Sequence, residues 1–209
     1  MENNNGKGIF YGVIGVATLV VAIIGATFAY FSASASNNNV ITGNAATTGL
    51  SLAVNKISTD ATGGLIPMND ADVSKGLEGD TATESKMCVD KNGNTVCQVY
   101  QITVTNTGSS TAVVNGTLNI TGGTFANLKW QLLSGSDAGS LATTTTYNPI
   151  ATTQLVNGVS LTASGKADYF IMIWISNLES DQSATNTGTF TGTVTFNSAD
   201  GAGISATFS

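Results

Sequence analysis

An all-β fold is predicted: an antiparallel, jelly-roll-like β-sandwich preceded by an N-terminal apolar export helix. Two observations carry the sandwich. Apolar and polar residues alternate with period two along most of the chain after Thr47, and turn-forming clusters of Asn, Gly, Ser and Asp separate the alternating runs. A third carries the helix. Ile9 to Phe31 holds no charge, sits at the N-terminus, and is long enough as a helix to cross a hydrocarbon core of about 30 Å.

Composition narrows the function before any element is placed. Of 209 residues 42% are hydrophobic and only 10% charged, against roughly 25% charged in an average soluble domain. Histidine is absent, every basic residue is a lysine, and the net charge is −6. Ser-His-Asp and Cys-His catalysis, HExxH sites and histidine-bearing zinc sites are therefore excluded. Nucleic acid is a poor partner for so acidic and arginine-free a chain. Carboxylate-pair chemistry such as glycoside hydrolysis needs no histidine, but no spacing here selects a pair. The reading is a non-enzyme with no cofactor, no metal and no catalytic residue.

The leader comes first. Lys7 is the only basic residue before the apolar run. Small residues crowd its end, and both Thr27-Phe28-Ala29 and Ala33-Ser34-Ala35 fit a small-x-small cleavage site. A retained membrane anchor is the other reading, since the run is longer than the usual apolar region of a signal peptide. Either way the rest of the chain is expected outside the cytoplasm.

Strand patterns follow. Leu50, Leu52 and Val54 share one face, as do Tyr100, Ile102 and Val104. So do Val114, Leu118 and Ile120, then Leu128, Trp130 and Leu132. Phe190, Val194 and Phe196 form another face, and Ile204, Ala206 and Phe208 the last. Turns are expected at Asn106-Thr107-Gly108-Ser109, Thr121-Gly122-Gly123, Ser134-Gly135-Ser136-Asp137, Asn157-Gly158 and Ser198-Ala199-Asp200-Gly201. About eight or nine strands result, in a single sandwich spanning 47–209. Tyr169 to Ile175 is apolar on both faces, so its second face needs cover, from a loop of this chain or from another subunit.

Cys88 and Cys97 flank an Asn92-Gly93 pair, the strongest short hairpin signal. A two-residue type I′ loop there puts Lys91 opposite Asn94, Asp90 opposite Thr95 and Val89 opposite Val96. Cys88 then faces Cys97 on a non-hydrogen-bonded pair, about 4.5 Å between Cα atoms, within reach of a disulfide. The pair implies an oxidising compartment. Residues 57–90 gather acidic side chains and Gly/Pro interruptions, and read as a solvated surface insertion. Asp70-Ala71-Asp72 with Glu78 or Asp80 lacks the order and closing Glu of a calcium loop.

The leader and the first strand together carry a resemblance. Ala26-Thr27-Phe28-Ala29-Tyr30-Phe31-Ser32, then Gly49-Leu50-Ser51-Leu52-Ala53-Val54, resembles the entry to the TasA/camelysin family of exported biofilm-matrix and surface-fibre proteins. Val99 to Gly108 likewise resembles that family's strand ending in an Asn-x-Gly turn. The resemblance implies a signal peptide at 1–29, cut by a signal peptidase between Ala29 and Tyr30. It also implies a donor-strand segment at 30–46, in which Tyr30, Phe31, Val40 and Ile41 fill pockets of the next subunit. The chain's main partner would be itself, in a head-to-tail homopolymer, with a minor subunit as a further partner. The location would be extracellular, at the cell surface or in a biofilm matrix. The metalloprotease activity described for some camelysins is not carried over to a chain without histidine.

Two alternatives stand beside this reading. Lys7-Gly8 before Ile9-Phe10-Tyr11 resembles the cleavage site of a type IV-like pilin, although Val13 stands where such a pilin has Glu. An uncleaved leader would give a membrane-tethered β-sandwich adhesin.

Overall fold

The computed structural model describes residues 41–44, 49–59, 65–79, 86–121, 127–178, 189–199 and 203–209. All of them lie in the compact unit Val40–Ser209. The expected export helix, the Ala29/Tyr30 cleavage site, Phe31 and Val40 lie outside the described residues.

Ten strands are present among the described residues. They are β1 (Ile41–Asn44), β2 (Leu50–Lys56), β3 (Gln98–Asn106), β4 (Ala112–Thr121) and β5 (Leu128–Leu132), then β6 (Asn148–Pro149), β7 (Thr152–Leu161), β8 (Lys166–Ile175), β9 (Thr191–Ser198) and β10 (Gly203–Phe208). They form a six-stranded sheet in the order β1-β2-β3-β8-β5-β6 and a four-stranded sheet in the order β10-β9-β4-β7. Every pairing of named strands is antiparallel. The fold is thus all-β.

The alternating faces become the core between the sheets. Leu52, Ile102, Ile171 and Trp130 of one sheet and Leu118, Val194, Phe196 and Ile204 of the other are buried in a single cluster. Each full burial of such a side chain contributes roughly 1.5–3 kcal/mol, and period two places it without help from the turns. Leu132, expected inward with Leu128 and Trp130, is only partly buried and packs at the cluster's margin.

Asn106 closes one end of the sandwich. It is almost fully buried at the end of β3. Its Nδ2 donates to the carbonyls of Ser110 (2.7 Å), Leu161 (3.0 Å) and Thr162 (3.0 Å), while its Oδ1 accepts the Gly108 amide at 2.9 Å. One side chain therefore ties the β3–β4 turn to the β7–β8 turn, satisfying carbonyls that strand ends leave unpaired.

Asn157-Gly158 is not a turn. β7 runs through it, with Gly158 at φ +64°, and the register against β4 shifts between Val114 and Gly116. The pair forms a β-bulge, pinned by the Gly158 amide donating to Asn115 Oδ1 at 2.8 Å. A left-handed glycine serves a bulge as well as a turn, so the residue types alone do not separate the two.

Candidate functional site

Two places on the six-stranded sheet answer the sequence expectations: the edge formed by β1 and the outer face of β8.

At the edge, β1 pairs with its own chain's β2 in the register Ile41↔Val54 to Asn44↔Ser51. β2 continues two residues past that register, to Asn55 and Lys56. Among the described residues the buried Oδ1 of Asn55 has no hydrogen-bond partner, an arrangement that costs about 1–3 kcal/mol. Of the four expected donor residues, Ile41 alone is described. In the single chain its strand completes this molecule's own sheet.

The outer face of β8 carries Phe170, Met172 and Trp174, all buried. The cover comes from this chain. Met68, Val73, Leu77, Cys88, Val96 and Cys97 form a second apolar cluster with these residues, joined by Val99 and Leu133. Residues 57–90 are therefore more than a solvated acidic loop. A 3-10 turn at Asp70–Asp72 leads into α1 (Val73–Glu78), which buries Val73 and Leu77 four residues apart on one face. Six helical residues are too few to stand out as a period among acidic neighbours, and their partners lie far along the chain.

Asp70 fixes the cover to the sheet. Its carboxylate accepts from the Lys129 ammonium on β5 and, at 3.0 Å, from the Trp174 indole on β8. Its carbonyl accepts the Tyr147 hydroxyl at 3.1 Å, and the Tyr147 ring meets Trp174 edge-on at 5.1 Å. Burial alone would raise the Asp70 pKa, but hydrogen bonds from Lys129, Trp174 and Ser176 and the Lys129 charge hold it below the usual carboxylate value. Asp72 faces elsewhere, accepting from Lys75 at 2.9 Å. Asp70 and Asp72 thus serve different partners, and Asp80 lies outside the described residues.

The Cys88–Cys97 disulfide is present, with 4.8 Å between Cα atoms, and both residues are fully buried beneath the cover. Its hairpin differs from the expected one. Val89 bridges Thr95 rather than Val96, and the Asp90 carbonyl accepts the Gly93 amide at 2.9 Å. Of the central pair only Gly93 has positive φ. The Asp90 carboxylate decides this, accepting the amides of Asn92 (2.9 Å) and Asn94 (2.7 Å). Those bonds favour a type I turn with a glycine bulge over the two-residue type I′ loop. Cys88 is itself left-handed at φ +69°, and its amide donates to the Gly76 carbonyl of α1 at 3.0 Å.

A groove of about 640 Å³ runs between α1 and this hairpin, lined by Met68, Gly76 and Val96 together with Asp72, Lys75 and Asp90. Two of its carboxylates are engaged locally, Asp72 by Lys75 and Asp90 by its own turn; Glu78 also lines it.

No family model matches the chain, and no curated protein matches it. Solved structures similar to it include a FixG-related protein from Vibrio parahaemolyticus (10% identity, 54% of this chain and 74% of that one, TM-score 0.27). The sporulation control protein Spo0M from Bacillus subtilis is similar at 10% identity over 54% of this chain and 40% of that one, TM-score 0.29. The structural-genomics target SoR45 is similar at 12% identity over 77% of this chain and 83% of that one, TM-score 0.30. At these scores none carries an argument about function.

Proposed function

We propose that this chain is an exported structural subunit of an extracellular fibre or biofilm matrix, and that its role is assembly rather than catalysis. The reading takes the two-sheet body as jelly-roll-like and takes residues 30–46 as the segment that joins one subunit to the next. Signal peptidase would free that segment by cutting after Ala29.

The observation that carries the reading is β1. It is a four-residue edge strand at the start of the folded body, held to β2 by main-chain pairing. An edge filled in this way takes an identical strand from a neighbour at little cost, because the same bonds form in cis or in trans. Exchange at a constant register builds a head-to-tail chain that does not close, which is a filament. The buried disulfide supports an oxidising destination.

The test is the mature protein itself. Mass spectrometry of the exported form should give Tyr30 as its first residue, whereas Ile9 would indicate the pilin route. Protein beginning at Tyr30 should form filaments with rising concentration, and removal of residues 30–44 should abolish them. A mature protein that stays monomeric with or without that segment refutes the proposal.

A further inference from the structure

We propose that the free edge of β10 is the site at which a second copy of this chain pairs, strand to strand, to form a symmetric dimer. The contact is separate from the β1 edge and does not depend on the fibre reading.

Among the described residues four strands end the two sheets, and three of them are guarded. β1 is four residues long, and β6 is two, one of them Pro149, which has no amide hydrogen to offer. β7 carries the bulge at Gly158, which bends its ladder. β10 has none of these devices. Its six residues, Gly203–Phe208, include no proline and no charge, and they pair with β9 without a register shift. β1 comes near β10 on this flank, but its pairing among the described residues is with β2.

One bond fixes which way the main chain of β10 faces. The Ala199 amide donates to the Val113 carbonyl at 3.0 Å, one step beyond the pair Val114↔Ser198. Hydrogen-bonded pairs alternate along an antiparallel ladder. Asn197, Thr195 and Thr193 therefore bond to β4, and Phe196, Val194 and Gly192 bond to β10. The β10 partners of the latter three are Ile204, Ala206 and Phe208. Gly203, Ser205 and Thr207 accordingly turn their amides and carbonyls away from β9, and all three are exposed. What satisfies such a row, other than water, is an extended strand.

β10 fits itself. Two copies set antiparallel about a two-fold axis at Ala206 place Ser205 of one opposite Thr207 of the other, and their outward main-chain groups bond to each other. On the inner side Ile204 meets Phe208, and Ala206 meets Ala206, a side chain small enough to sit on the axis. Inward residues stay inward, so the buried row of Ile204, Ala206 and Phe208 continues from one copy into the other. Neither β9 nor β10 holds a charge, so two acidic molecules meet where no ion is desolvated. The joined sheet ends on both sides in β7, whose bulge stops further addition. The dimer is of the small, reversible class that buries less than about 1,200 Å², and main-chain bonds rather than area hold it.

The experiment removes outward donors alone. Proline at 205 or 207 deletes an amide hydrogen that faces away from β9, so the fold keeps its own ladder. Sedimentation of the soluble exported protein should show a monomer–dimer equilibrium with rising concentration. Ser205→Pro should weaken it about tenfold or more; Thr207→Pro is the second variant should the first fold poorly. Amide hydrogen exchange places the contact. The Ser205 and Thr207 amides should be fast in dilute protein and slow in the dimer, while the Ala206 amide is slow in both. The unit Val40–Ser209 alone should dimerise equally. A protein that stays monomeric overturns the proposal, as does a dimer in which the Ser205 and Thr207 amides keep the monomer's rate. A dimer lost from the unit Val40–Ser209 also overturns it, because the preceding segment would then be the occupant. The readouts need no filament, so failure here and failure of the fibre reading are distinguishable.

Discussion

Trp174 donates its indole hydrogen to the Asp70 carboxylate across 3.0 Å, joining the middle of the six-stranded sheet to an insertion 104 residues earlier in the chain. The bond satisfies the one polar atom of a side chain otherwise buried in the second cluster. It also holds the insertion in the orientation that seats Met68, Val73 and Leu77 over the sheet.

Asp70→Asn should therefore loosen the cover more than the sandwich. The variant keeps the size but loses the charge facing Lys129, and its amide brings donors where only acceptors are used. About 1–2 kcal/mol of stability should be lost, since the bonds are part-buried and made to a charged group. In a Trp130→Phe background, Trp174 emission should shift to the red before the far-ultraviolet β signal falls. Simultaneous loss of both signals at the wild-type midpoint would count against this role.

Acid should open the molecule, with a definite sign. Asp70, Asp90 and Asp168 all have folded pKa values below the ordinary 3.8. In each case burial raises the value and hydrogen bonds to the ionised form outweigh it: from Lys129, Trp174 and Ser176 at Asp70, from Asn94 and Asn92 at Asp90, and from Thr103 and Gln101 at Asp168, where Lys166 also contributes. The unfolded chain then binds more protons than the folded one between the lowered values and 3.8. The stabilisation is complete above about pH 5 and is lost as pH falls through the folded values. Urea midpoints measured from pH 7 to pH 2 should be flat at first and then decline. Asp70→Asn should flatten part of that decline.

The disulfide should matter as a staple. It closes a short loop, with a sequence separation of 9, for which the chain-entropy estimate is about 2–3 kcal/mol. Cys88→Ala with Cys97→Ala should lower the unfolding free energy in urea by that order, with the slope the same or slightly steeper because the unfolded chain is freer. Because both residues are fully buried, reduction of the wild type should proceed only as fast as the cover opens. A rate strictly first order in reductant at all concentrations, with no plateau, would show the bond to be open to attack in the folded state.

The sandwich core was legible in the sequence because alternation is local. Leu50, Leu52 and Val54, or Ile204, Ala206 and Phe208, declare their face within five residues. The need to cover Tyr169–Ile175 was legible too, since no strand exposes Phe170, Met172 and Trp174 on its second side. The identity of the cover was not, because α1 is short and meets β8 only across a separation of about a hundred residues. Nor was the hairpin register, where Asp90 overrides the pattern of its Asn-Gly neighbour. The bulge at Gly158 escaped because left-handed glycine has more than one use. Pairing of β1 with β2 depends on no alternation at all, which leaves the edge outside the reach of pattern reading.

Gly192 offers the sharpest packing test. A Cβ built there would lie 2.0 Å from Cζ of Phe208 and 2.5 Å from two further ring atoms. The same ring rests 4.3 Å from the Tyr100 ring, so it bridges β10 of one sheet and β3 of the other. Gly192→Ala should push Phe208 off this seat and cost about 1–3 kcal/mol by overpacking. Gly158 is the control: a Cβ there meets no atom of the described residues within 4 Å, but φ is +64°. Gly158→Asn should be nearly neutral, because Asn tolerates the left-handed region, while Gly158→Val should be costly. A double-mutant cycle separates the two mechanisms. Phe208→Leu removes the ring that clashes and should recover part of the Gly192→Ala loss, giving a coupling on the order of 1 kcal/mol. The same Phe208→Leu change should leave the effect of Gly158→Val untouched, since that cost is backbone strain at a site with no neighbour to move. Equal, additive losses at Gly192 and Phe208 would mean that the ring does not need the empty space above Gly192.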